Sequence, residues 1–487
     1  MLKKNKGALL FLAVVSLILI LPAIIYQYPY PSISDDPPAY LQVINKVAHG
    51  DLADSDSYRY CYPTNIFGGE ACGYRSASTA VIGLVCRILH SDPYWTYYIF
   101  HYLALIGIAL CVWLFCTKVF NKLTGYIGVL FVMFGASPVL RYSYYDQIFN
   151  LTNLLGFGLM GCLALIYWLK TKRLYYALIS MMLFMIAMLF HSSTGLEIYM
   201  CVGFFLVSTV VYKAFKKAWK EVKGIGAYLI VFTVVCGGLL WALAPESRSL
   251  LESVLTGSSV KANAGIYSSV PLYYFFSQYT NIIILMFACM SGWYILKHKD
   301  IMLDKARIGI GLLMAIITTL VISVLLNRFE PSRSAQDLGI ILLLTYSGLI
   351  GIVLYQCRNH AKVKKEIKTI AFIIVVVTVP MLYCHFQYRC AVTPVDQQAI
   401  AFMNSHNGSY SVSTQINPDI YKLFIDNEYK VDGDYIIFRN VPQTAATNPD
   451  NRYTIVKGNA SVISDYELSR VATFYSPEVT IIIFKNN

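Results

Sequence analysis

Long apolar runs alternate with short polar breaks along this chain, and the charge of the breaks alternates too. After a basic MLKKNK start, residues 7–26 stay apolar for long enough to cross the ~30 Å hydrocarbon core of a bilayer. No small-residue cleavage site follows, which predicts an uncleaved first helix with its N-terminus in the cytoplasm. Further runs of span length cover residues 95–115, 124–140, 148–169, 175–190, 196–211, 225–243, 272–296, 308–326, 338–355 and 370–383. With the first helix they predict a mainly α, polytopic membrane bundle of about 11 transmembrane helices. Residues 77–89 are too few to span and carry Arg87, so they predict a helix lying at the membrane surface.

Loop charge sets the orientation. Lys118 and Lys122, the KTKR at 170–173, and the basic stretches 212–223, 297–307 and 357–368 all fall on the side of the N-terminus. Positive loops mark the cytoplasm. The opposite, extracytoplasmic side then receives Asp35 and Asp36, the 141–146 turn, His191, the 246–270 loop and the 328–337 loop. The tail falls there as well. From about residue 391 the composition turns polar, and SYSVST, DYIIF, YTIV and VTIIIF are separated by NP, DG and GN turns. This predicts a small extracytoplasmic α/β domain over 391–487, with helices at 396–404 and 418–426, after a transmembrane domain at 1–390 whose first outer loop is 28–94.

Composition fits this picture. Hydrophobic residues are 57% of the 487 and charged residues 14%, with a mean hydropathy of +0.55, which excludes an ordinary soluble domain. A net charge of +12 would suit nucleic acid, but the basic residues form short clusters between apolar runs. They read as orientation signals facing membrane lipids, with no nucleic-acid partner. Most cysteines sit inside apolar runs as small hydrophobes. Cys61 and Cys72 lie in a polar loop, where a short disulfide and two free thiols are both open readings.

Candidate chemistry begins at SISDDPPAYLQVINKVAHGDL, residues 32–52. An acidic residue before a proline-led amphipathic segment suits a helix N-cap. A cap employs one aspartate, and there are two. The other is a candidate general base on an acceptor hydroxyl or amine, or a ligand of a divalent cation.

An uncleaved first helix, a long outer loop opening on Asp35 and Asp36, an aromatic four residues on at Tyr40 and an amphipathic helix ending in GD together resemble the GT-C superfamily. These are polytopic membrane glycosyltransferases that use lipid-phosphate sugars; they include the mannosyltransferase-like and aminoarabinose-transferase-like families and oligosaccharyltransferases. Residues 79–150 continue the likeness: surface helix, long span, basic turn, short span ending in Ser-Pro, and an outer aromatic turn with an aspartate before the next span. The resemblance implies catalytic roles for Asp36 and its neighbour Asp35. It gives Asp146 a part as acceptor-side or second carboxylate, and Asp36 with Asp146 as ligands of a divalent cation, magnesium or manganese.

It departs elsewhere. The WWD-type motif of oligosaccharyltransferases is missing from the tail, and HSSTG at 191–195 replaces the lysine-glycine pair of the aminoarabinose enzymes. His191 either binds the donor phosphate or is hydrogen-bonded within the bundle, and Ser192 and Ser193 equally suit a helix cap. In NRFEPSRSAQD, residues 327–337, the arginines lie on the side where orientation does not explain them. Arg333 and then Arg328 are the candidate contacts to a lipid-linked phosphate, against simple ion pairs with Asp337 and Glu330.

The expected function is transfer of a sugar from a polyprenyl- or dolichyl-phosphate donor to a glycan, lipid or protein acceptor, at the outer face of a prokaryotic plasma membrane. A polysaccharide polymerase or ligase, and a polytopic transporter, are the alternatives.

Overall fold

The computed structural model describes residues 6–26, 36–50, 61–64, 69–72, 76–134, 148–238, 279–298, 303–325, 331–357, 394–414, 425, 434–440, 468–475 and 480–486. The chain forms two compact units. One comprises Met1–Ile20, Leu52–Ile82 and Ile99–Gln387; the other comprises Leu21–Asp51, Gly83–Tyr98 and Tyr388–Asn487.

The described chain is mainly helical. The apolar runs become α1 (Lys6–Tyr26), α4 (Pro93–Val119), α5 (Lys122–Met133), α6 (Ile148–Thr171), α7 (Leu174–Phe190), α8 (Ser192–Phe215), α9 (Trp219–Phe232), α10 (Tyr279–Lys297), α11 (Asp304–Leu325) and α12 (Pro331–Cys357). Between α1 and α4 come the two short amphipathic helices α2 (Asp36–His49) and α3 (Ser76–Leu89). Among the described residues, five helices are long and apolar enough to cross a membrane: α4, α6, α8, α11 and α12. α6 and α12 are the most enclosed of these, with 72% of their apolar windows buried inside the protein.

Among the described residues, π-turns occur at Thr152–Gly158 inside α6 and at Thr233–Gly237 directly after α9. Aromatic stacking joins α6, α7 and α9: Trp168 lies on Tyr228 at 4.6 Å between ring centroids, and Phe184 meets Phe232 edge-on at 5.6 Å. The Tyr228 hydroxyl donates to Ser180 Oγ, which donates to the Gly161 carbonyl. A buried polar group is thereby satisfied across three helices. α12 packs on α5, α10 and α11, and α8 packs on α7, α9 and α11.

In the same unit, β1 (Cys61–Thr64) and β2 (Gly69–Cys72) form an antiparallel pair in which Cys61 and Cys72 are direct partners. In the second unit, α2 buries Tyr40, Val43, Ile44 and Val47, which fall on one face at helical spacing. Gly50, at φ +84°, takes the left-handed conformation that ends α2. The tail supplies α13 (Pro394–Asn404) and a sheet of order β3-β4-β6-β5, from Tyr410–Thr414, Tyr435–Asn440, Thr480–Asn486 and Leu468–Tyr475. β3 and β4 are parallel; the other pairs are antiparallel. Val395, Ala399, Met403, Tyr410, Ile425, Tyr435 and Ile437 form the core there. The expected span at 370–383, helix at 418–426 and strand in YTIV lie outside the described residues.

Candidate functional site

Polar side chains within the apolar helices of the first unit meet at one end of the bundle, where α6, α8 and α12 begin and α7 and α11 end. His191 stands between α7 and α8. It is 1% exposed and is the N-cap of α8, its Nδ1 accepting the Thr194 N–H at 3.3 Å. The same Nδ1 lies 3.0 Å from Thr194 Oγ1, so the ring is held there from both the backbone and the side chain of one residue. The cap is His191 itself rather than Ser192 or Ser193, because the helix already starts at Ser192.

From there a hydrogen-bonded chain crosses the bundle. The Thr194 hydroxyl donates to Asn150 Oδ1, and Asn150 Nδ2 donates to Asp337 Oδ1 at 3.1 Å. All three residues are fully buried. The carboxylate at one end and the hydroxyl at the other fix which way the Asn150 amide points. Asn153, in the π-turn of α6, donates Nδ2 to the His191 carbonyl at 3.0 Å. π-turns are frequent at functional sites because they redirect side chains without breaking the helix.

A second branch lies one turn further along α8. Ser334 Oγ donates to Glu197 Oε1 at 2.6 Å, and Ser323 Oγ lies 3.1 Å from Ser334 Oγ. Ser334 has one hydroxyl proton and gives it to the carboxylate, so Ser323 is the donor in that second bond. Two carboxylates, Asp337 and Glu197, are thus held in a buried place by polar partners, as burial of such groups requires.

The opposite end of the bundle is basic. Lys213 Nζ pairs with Glu221 Oε2 at 2.8 Å, and Lys305 Nζ sits 4.1 Å from the Tyr167 ring centre. The Lys213 ammonium holds the Glu221 carboxyl below its usual range. Burial pushes the Lys172 ammonium down, and Glu221 acts against that shift.

His191 is therefore in the network, and Arg333 lies in the first turn of α12, one position before Ser334 and one turn before Asp337. Asp36 is the first residue of α2 and belongs to the other unit. Asp35, Asp146 and Arg328 lie outside the described residues, as does the 246–270 loop. Among the described residues, no group of three or more His, Cys, Asp or Glu is placed to hold a metal ion. Sequence reading passed over Asn150, Asn153, Thr194, Glu197, Ser323 and Ser334. The available signal was the presence of Asn and Glu inside apolar runs, where polar side chains are expensive unless partnered.

No protein-family model matches the chain, and no curated protein matches it in sequence. Solved structures do. An oligosaccharyltransferase of Archaeoglobus fulgidus in the apo form aligns with 85% of this chain and 63% of its own, at a TM-score of 0.52 and 13% identity. The same enzyme in complex with Zn and sulfate aligns with 98% of this chain and 73% of its own, at 0.54 and 10%. The arabinofuranosyltransferase AftD from Mycobacteria aligns with 98% of this chain and 40% of its own, at 0.50 and 12%. This chain thus spans under two thirds of the apo enzyme and less than half of AftD. The likeness shows that this chain shares its fold with these enzymes.

Proposed function

We propose that this chain is an integral membrane glycosyltransferase that moves a sugar from a polyprenyl- or dolichyl-phosphate donor to an acceptor at the outer face. The observation that carries the reading is the buried polar network at one end of a GT-C-like bundle, opposite a basic end. In this reading the basic end faces the cytoplasm and the network faces outward.

The acceptor, a glycan, lipid or protein, loses its proton to Asp36 as it attacks the anomeric carbon. The new bond forms as the bond from that carbon to the phosphate oxygen breaks, and the lipid phosphate departs with the electron pair. Arg333, Arg328 and His191 would stabilise that departing charge. Arginine suits the task because its planar fork matches phosphate oxygens. Asp35 is the neighbouring carboxylate of the acidic pair. Asp146 is an acceptor-side carboxylate and, with Asp36, a candidate ligand of a divalent cation; such hard oxygen donors suit magnesium or manganese. The Zn and sulfate bound by the Archaeoglobus enzyme support a place for a cation and an oxyanion in this fold.

The test is transfer in membranes supplied with a labelled polyprenyl-phosphate sugar. Asp36→Asn is expected to abolish transfer and leave the protein folded. Unaltered transfer by that variant would remove the proposed centre. Uptake of label into proteoliposomes without any transfer would convert the reading to a transporter.

A further inference from the structure

We propose that Glu197 is a positioning residue: it holds the first turn of α12, and with it Arg333, in the geometry that meets a donor phosphate. The inference rests on the proposed phosphate role of Arg333.

The first turn of a helix is its least secured part, because its leading N–H groups have no partners within the helix. α12 opens on Pro331, which presets φ but adds no hydrogen bond. What ties this turn to the bundle is side-chain chemistry. Ser334 donates to Glu197 Oε1 of α8 and accepts from Ser323 of α11, and Asp337 accepts from Asn150 of α6. Three helices therefore grip one turn of a fourth, at Ser334 next to the arginine and at Asp337 one turn after it.

Glu197 is the member that needs explaining. It is a carboxylate 8% exposed in an otherwise apolar helix, where leucine would serve the span better. Its 2.6 Å contact with the Ser334 hydroxyl falls in the range of O–H···O⁻ bonds, which are about twice as strong as neutral ones. A strong, short bond fixes position. An arginine fork requires that, since its two parallel hydrogen bonds to a phosphate form together only in one placement of the helix turn.

The experiment uses the full chain in lipid nanodiscs with two readouts. The first is hydrogen exchange of the amides of residues 334–337, the first to bond inside α12. The second is the split between donor KM and kcat, with labelled polyprenyl-phosphate sugar as the probe. Glu197→Ala and Ser334→Ala are each expected to speed exchange there by about 10-fold or more and to raise donor KM similarly, the loss of a hydrogen bond to a charged group. kcat should change less. The double variant should be no worse than either single one, since both remove the same contact. Glu197→Gln keeps an acceptor oxygen and should restore most of the effect.

Unchanged exchange in both Glu197→Ala and Ser334→Ala overturns the inference, as does an additive double variant. An Arg333→Ala variant with unchanged donor KM instead overturns the clamp reading, and it does so whatever the exchange data show.

Discussion

Gly195→Ala tests the site end of the bundle most sharply. A Cβ built on Gly195 would lie 2.5 Å from Met188 Cα and 3.0 Å from both Met188 N and the Ala187 oxygen. All three are backbone atoms of α7, so no side chain can turn aside. Ordinary contacts lie near 3.5–4.0 Å, and α7 and α8 would have to part by about 1 Å. Overpacking of this kind costs about 1–3 kcal/mol, and the better helix propensity of alanine returns at most ~1 kcal/mol. The net loss is up to about 3 kcal/mol. The same Ala187 oxygen accepts the His191 N–H at 3.2 Å, and the Gly195 N–H donates to the His191 carbonyl at 2.8 Å. Parting the helices therefore moves the His191 turn. Gly203 lies on the same helix, and a Cβ there meets nothing within 4 Å. Thermal unfolding of the purified protein in detergent should show a lower midpoint for Gly195→Ala and an unchanged or higher one for Gly203→Ala. Equal shifts in the two variants would refute the close approach of α7 and α8.

Thr194→Val removes the hydroxyl that Asn150 Oδ1 accepts from and should destabilise by about 1–3 kcal/mol, whereas Thr194→Ser should be near neutral; denaturation of the pair decides it. The lowered Glu221 carboxyl contributes stability that is present above the unfolded-state value and is lost as pH falls through the lower folded one. The stability difference between the native protein and Glu221→Gln should accordingly shrink on acidification and vanish in strong acid; a difference constant with pH contradicts the Lys213 pairing. Facing partners in an antiparallel pair have Cα atoms about 4.5–5.5 Å apart, within disulfide reach. On an outer face, Cys61 and Cys72 should thus be recovered as one linked peptide pair without reduction. Alkylation of both thiols in unreduced protein would rule the bond out.

The spans were readable wherever an apolar run was long and uniform. Residues 175–190 became Leu174–Phe190, and 95–115 became Pro93–Val119, extended at its start by the Pro-Tyr turn. The π-turns were not readable, since a run apolar on every face gives the same pattern whether a turn holds one residue more or fewer. Leu468–Tyr475 forms a strand that the turn signals of the tail did not single out. At the site, His191 and Arg333 were picked out as polar groups on an unexpected side, while Glu197 was absorbed into the apolar run that starts at residue 196. Its partner Ser334 is 137 positions away, and Asp337 is 187 positions from Asn150. Local periodicity carries no trace of such pairings. The helix begins at Asp36, a boundary that a pattern of two adjacent aspartates cannot mark to the residue.

Those separations also impose an order on how the molecule is made. At synthesis rates of roughly 5–20 residues per second, the ribosome needs about 10–40 s to travel from Asn150 to Asp337. Throughout that interval Asn150 and Glu197 are in the bilayer without the helix that will satisfy them. A nascent chain halted before α12 carries an open amide and an open carboxylate at one membrane boundary. Arrival of α12 closes both at once, so the contacts that shape this end of the bundle form together, late in synthesis.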